Sequence, residues 1–173
     1  MSEIDVAERI NFVGEDTGAF LSMYEDMTGH GTSVAGIIGA RDNEEGVIGI
    51  DPNAYLCSLK VFDNENKAPL SRILGGIQYA IDNDIKILNM SFGTTVDSAI
   101  LHSKLQEAYE AGMLLIASAG NDGMVEFPAA YDEVIAVGAS TTDNEVAPFS
   151  QVGTPVEILA PGTEILSTSL MGG

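Results

Sequence analysis

A three-layer α/β domain, with a mostly parallel sheet flanked by helices, is the fold class predicted by this sequence of 173 residues. Three observations carry that expectation. Short apolar runs of strand length alternate with longer stretches whose apolar residues recur at helical spacing, the pattern of strands joined by crossover helices. The runs Ile87-Leu88-Asn89-Met90 and Leu114-Leu115-Ile116-Ala117 each lead into a glycine-containing loop, so one design is used twice. The composition, 45% hydrophobic with 19 glycines, suits helices packed closely on a sheet. At this length a compact chain makes one domain, residues 1–173, and buries roughly 70% of its unfolded surface.

In chain order, the small-residue run that follows His30 predicts a helix at about 30–40, and the run around Leu56 a strand at about 55–62. Ile73, Ile77, Ala80 and Ile81 share one face of a helix at about 70–83. A strand at about 86–91 precedes a helix at about 97–111, striped by Ile100, Leu101, Leu105 and Ala108. Strands at about 113–118, 134–138 and 156–160 complete the order. These helical stripes are core positions, not cofactor boxes.

Composition removes several functions. A formal charge of −19, from 26 acidic and 7 basic residues, is the wrong sign for a phosphate backbone, so no nucleic acid is expected. No apolar run approaches the roughly 20 residues of a membrane span, so no membrane partner is expected either. The lone Cys57 excludes an internal disulfide, and no Cys/His cluster could hold zinc. A dinucleotide loop at Gly29, Gly31 and Gly36 fails because Tyr24-Glu25-Asp26-Met27-Thr28 before it is polar, not an apolar strand.

The informative segment is Gly29-His30-Gly31-Thr32-Ser33-Val34-Ala35-Gly36, which sets an imidazole at the start of a small-residue helix. Histidine can accept and return a proton near neutrality, as a catalytic base must. A plain helix-start residue is the alternative, and company decides between them. Asn89-Met90-Ser91-Phe92-Gly93, Ala117-Ser118-Ala119-Gly120-Asn121 and Ala160-Pro161-Gly162 follow at strand ends. With His30 these segments resemble the subtilisin-like serine proteases, or subtilases, in which H-G-T-x-V-A-G carries the base, N-x-S-x-G lines the cleft and A-x-x-G-N carries the oxyanion asparagine. Asn121 follows His30 by 91 residues, and about 91 is also subtilisin's own spacing.

The resemblance covers nearly the whole chain and implies an incomplete three-layer subtilisin-like fold. In subtilisin the triad aspartate precedes the base by about 32 residues and the nucleophile follows it by about 157. His30 has only 29 residues before it, and Asp16-Thr17-Gly18, 14 upstream, lacks a strand leading into it. The better register sets Asp5-Val6 just after the aspartate loop and Ile10, Phe12 and Val13 on the next strand, so the aspartate strand is expected before Met1. Ser167 and Ser169 read as hydroxyls of a strand preceding the nucleophile, and the serine helix is expected beyond Gly173. Of the triad, this register leaves only His30 in the chain. The 173 residues are therefore expected to be inactive alone and to self-associate through an incomplete sheet.

The resemblance also implies roles. His30 is the base and Asn121 the oxyanion donor. Ser91, Phe92 and Gly93 form one wall of the pocket for the residue before the scissile bond, and Ser118, Ala119 and Gly120 the other. Glu126 lies at the pocket floor, where a carboxylate favours Arg or Lys in a peptide or protein substrate; a solvated loop acid is the alternative. Asn66, Lys67 and Ala68 form an edge that pairs with extended substrate, and Leu70 and Ile73 an apolar pocket further along. Arg41, Asn43, Glu45 and Val47, with Asp5, correspond to a structural calcium loop of oxygen ligands, against the alternative of a solvated acidic turn. A non-catalytic relative that binds extended peptides in the same cleft is the competing function.

Overall fold

The structure, a computed structural model, describes residues 6–13, 26–121 and 123–170. It forms two compact units, Met1–Gly76 with Leu166–Gly173, and Ile77–Ile165.

In the first unit β1 (Val6–Asn11) lies parallel to β2 (Leu56–Lys60), with Ile10 opposite Leu59 and Asn11 opposite Lys60. The strand expected around residues 10–13 therefore starts and stops earlier. Its end has a local cause: Asn11 Oδ1 accepts the Val13 N–H at 2.8 Å, a side-chain turn that competes with the ladder. The Phe12 N–H still reaches the Lys60 carbonyl at 2.9 Å. Phe12 then packs over Gly75 and Gly76 in α2 (Leu70–Asp82), where a Cβ on Gly75 would stand 3.2 Å from the Phe12 ring and one on Gly76 3.0 Å from Val61. Two adjacent glycines inside a helix cost about 1 kcal/mol each relative to alanine, and close approach of the strand is the return.

Helix α1 (His30–Gly39) belongs to the same unit. Its Gly36 faces the chain from Ser167 to Thr168, whose hydroxyls donate to the Ser33 and Thr32 carbonyls at 2.6 and 2.8 Å. Ser167 and Ser169 are thus not on a strand: residues 165–169 have no regular structure, because their polar groups serve α1 in place of a ladder.

The second unit holds one parallel sheet in the order β3-β4-β5-β6, built from β3 (Ile87–Met90), β4 (Leu114–Ser118), β5 (Val134–Ser140) and β6 (Val156–Pro161). Met90, Leu115, Ala117, Val134 and Ala136 are buried in it. Helix α3 (Ala99–Glu110) connects β3 to β4 and buries Leu101, Leu105 and Ala108 at i, i+4 and i+7. Ile100, expected in that stripe, is 64% exposed, because it sits about 100° around the helix from Leu101. Ser98 caps α3, accepting the Leu101 N–H, and Gly112 at φ 84° ends it, with Gly112 and Met113 N–H groups returning to Tyr109 and Ala108.

Candidate active site

His30 is the first residue of α1 and is exposed. The N-cap, Gly29, takes φ 83°, a left-handed conformation that glycine adopts without strain but leaves no side chain to cap the helix. Asp26 supplies the cap from outside. Its Oδ1 accepts the Thr28 N–H, Thr28 hydroxyl and Gly29 N–H, each at 3.0 Å, and its Oδ2 accepts the Thr32 N–H at 2.8 Å and the Thr32 hydroxyl at 2.9 Å. Partial burial pushes the Asp26 pKa up, but the Thr32, Thr28 and Gly29 amides and the Thr32 hydroxyl outweigh it and hold it down at about 2. Asp26 had no part in the residue set drawn from sequence; its one signal there was an aspartate just upstream of a helix start that lacks its own capping side chain.

In the second unit the chain leaves β3 and β4 into adjoining loops. Asn89 Nδ2 donates to Ser91 Oγ at 2.9 Å, and Gly120, at φ 100°, turns the chain towards Asn121. Ser91, Ser118, Ala119, Gly120 and Asn121 share a cavity of about 310 Å³ with residues of β5 and β6 and with Ser150. It opens at the carboxyl ends of the parallel strands, the usual position for ligands in open α/β sheets.

Glu126 lies between the two expected walls. Its N–H donates to the Ala119 carbonyl at 3.0 Å. A Cβ on Gly93 would meet the Glu126 carboxylate, and one on Gly120 would stand 2.7 Å from its Cγ and Cδ, so each glycine makes room for this side chain. The walls are also joined through Thr94 and Phe127, whose backbones exchange hydrogen bonds at 2.9 Å in both directions. Phe92 and Gly93 lie in the loop after β3 that leads to this bridge.

The expected substrate edge is a tight turn in the first unit. Asp63 Oδ1 accepts the Glu65 and Lys67 N–H groups at 2.9 and 3.0 Å, and the Asp63 N–H donates to the Lys67 carbonyl at 3.0 Å. Both main-chain groups of Lys67 are therefore committed inside the loop, and its ammonium pairs with Glu65 at 2.6 Å. Asn66, at φ 57°, and Ala68 flank it, and Leu70 and Ile73, half-buried, lie in the first turn of α2.

In the expected calcium loop Asn43 Oδ1 accepts the Glu45 N–H at 3.2 Å, and Glu44 and Gly46 both take positive φ. Arg41 and Val47 are half-buried, while Asn43 and Glu45 are exposed. Asparagine and carbonyl oxygens suit calcium in kind. The one carboxylate assigned to it, Asp5, lies outside the described residues, as does Asp16. Among the described residues no three His, Cys, Asp or Glu side chains group as metal ligands.

The model of the subtilase family matches residues 5–172. The chain is 48% identical over 160 residues to the minor extracellular protease Epr of Bacillus subtilis, covering 91% of this chain and 25% of that protein. It is 40% identical over 149 residues to subtilisin DY of Bacillus licheniformis, 83% of this chain and 54% of the relative. It is 43% identical over 147 residues to the thermostable alkaline protease of Halalkalibacterium halodurans, 84% of this chain and 41% of the relative. The chain thus spans between about a quarter and about half the length of these relatives.

Proposed function

The chain belongs to the subtilase family, and from that premise we propose that the protein is a serine endopeptidase in which His30 is the catalytic base and Asn121 the oxyanion donor. The observation that carries this reading is Asn121 in a cavity at the carboxyl ends of β3 to β6, beside the Ser118-Ala119-Gly120 wall. His30 takes the proton of a serine hydroxyl as it attacks the peptide carbonyl, then returns it to the leaving amine. The Asn121 side-chain amide donates to the oxyanion, which strengthens as charge develops. Glu126, half-buried between Gly93 and Gly120, supports a preference for Arg or Lys before the scissile bond, since a partly desolvated carboxylate attracts a cation more strongly than one in water.

The Asn66 N–H is on the Asp63 carbonyl at 3.1 Å, so the Asn66 carbonyl and the main chain of Ala68 would meet the extended substrate, with Leu70 and Ile73 receiving an apolar side chain further along. Asn43 with the carbonyls of Arg41, Glu45 and Val47, together with Asp5, would hold a structural calcium ion. Of the triad, His30 is the member assigned within residues 1–173. The Ser167 hydroxyl donates to the Ser33 carbonyl, and Ser169 lies in irregular chain, so neither is assigned as nucleophile, and these residues alone are proposed to lack turnover.

The test is hydrolysis of fluorogenic Arg and Phe peptides by the whole protein. His30→Ala should lower kcat by about 10⁶, the loss measured in subtilisin itself. Asn121→Ala should lower it by about 10²–10³, the cost of the oxyanion asparagine in subtilisin itself. Peptide binding without turnover in the whole protein would replace the enzyme with a non-catalytic relative.

A further inference from the structure

The backbone on both sides of His30 is tied to one carboxylate. Before it, the Thr28 and Gly29 N–H groups bond Asp26 Oδ1; after it, the Thr32 N–H and hydroxyl bond Oδ2. The His30 N–H, which has no intrahelical acceptor at this position, points to Thr28 Oγ1 at 3.4 Å, and that hydroxyl in turn donates to Asp26. The first turn of α1 thus takes its geometry from Asp26, since the N-cap glycine has no side chain to contribute.

We infer that Asp26 is a positioning residue for His30, fixing the helix start from which the imidazole reaches the reacting atoms. This rests on the reading of His30 as base. Among the described residues Asp26 accepts five hydrogen bonds, from Thr28, Gly29 and Thr32, so it acts on the reaction through the start of the helix and not by proton transfer. A carboxylate is suited to the task. It accepts several N–H and O–H bonds at once, and its charge favours the positive end of the helix dipole. An amide keeps one accepting oxygen, and its NH₂ group cannot accept the Thr32 bonds.

The inference separates from a purely structural cap through kcat and KM. A base displaced by about 1 Å loses roughly 10²-fold in rate while substrate binding is little affected. In the whole protein, Asp26→Ala is therefore expected to lower kcat by about 10²-fold with KM within about twofold, and Asp26→Asn to lie between it and the parent. The fraction folded at assay temperature, read by circular dichroism, is used to normalise each rate, so a variant that merely unfolds is distinguished from one that misplaces the base. Unchanged kcat in both variants, a change confined to KM, or a loss fully explained by the unfolded fraction overturns the inference while leaving His30 in its role. His30→Ala is measured alongside: parent-level turnover there overturns the assignment of the base itself, and this inference with it.

Discussion

The Glu126 N–H donates to the Ala119 carbonyl at 3.0 Å, and this bond holds the Glu126 side chain against Gly93 on one wall and Gly120 on the other. Its consequence for specificity can be measured. With the carboxylate flooring the pocket, kcat/KM for a Lys substrate should exceed that for the matched Phe substrate, and Glu126→Gly should reverse the order. A single methylene in an apolar pocket already changes discrimination by about 10–200-fold, and a charge facing the substrate's cation should change it by at least about 10-fold. An unchanged ratio in the variant would make Glu126 a loop acid without a role in selection.

Acid should open the start of α1 before it unfolds the rest. Asp26 has an ordinary carboxyl pKa of 3.8 lowered to about 2 in the folded chain. Its contribution is fully present above the unfolded value and is lost as pH falls through the folded one, because the unfolded state then binds the proton more readily. Amide exchange at Gly29 and Thr32 should accelerate, beyond the intrinsic pH trend, between about pH 4 and pH 2. Exchange that follows the intrinsic trend throughout that window would contradict the bonding described for Asp26.

Asp84→Gly should stabilise the chain. Helix α2 ends with the Ile85 N–H on the Ala80 carbonyl and the Asp84 N–H on Ile81, which places Asp84 at φ 55°, where glycine is usual. The substitution relieves left-handed strain of about 1–2 kcal/mol, offset by the roughly 0.5–1 kcal/mol of extra backbone entropy that glycine loses, and should gain up to about 1 kcal/mol in chemical denaturation. The Lys86 ion pair that it removes is exposed and contributes little.

Among the described residues β3 is an edge of its sheet, and its Ile87 is 59% exposed beside the register partner Leu114, 44% exposed. Apolar edges of this kind pair with other chains, and charged side chains prevent it. Light scattering on the 173-residue chain should therefore show association, reduced by Ile87→Lys. A monodisperse monomer of the unsubstituted chain would refute the expectation.

Helices and strands were legible because their apolar residues keep strict periods: Ile77 and Ala80 on α2, and Leu101, Leu105 and Ala108 on α3, are all buried. The residue motifs also led to Ser91, Ser118 and Asn121, which share a cavity. What escaped depends on side chains that bond the backbone. The Asn11 turn ended β1 early, and Asp63 took the main-chain N–H and carbonyl of Lys67 on an edge expected to be open. Asp26 was hidden among 26 acidic residues, since its place in the sequence does not reveal how many donors converge on it.

The hydroxyls of Ser167 and Thr168 close on carbonyls 134 and 136 residues earlier, on the turn that carries His30. Made on a ribosome, that turn emerges long before the residues that grip it. Contacts separated by so much chain cost loop-closure entropy before they return anything, and they slow folding. The helix bearing the proposed base should therefore be among the last elements of its unit to dock, since its carbonyls must wait until Ser167 and Thr168 have emerged before their partners exist.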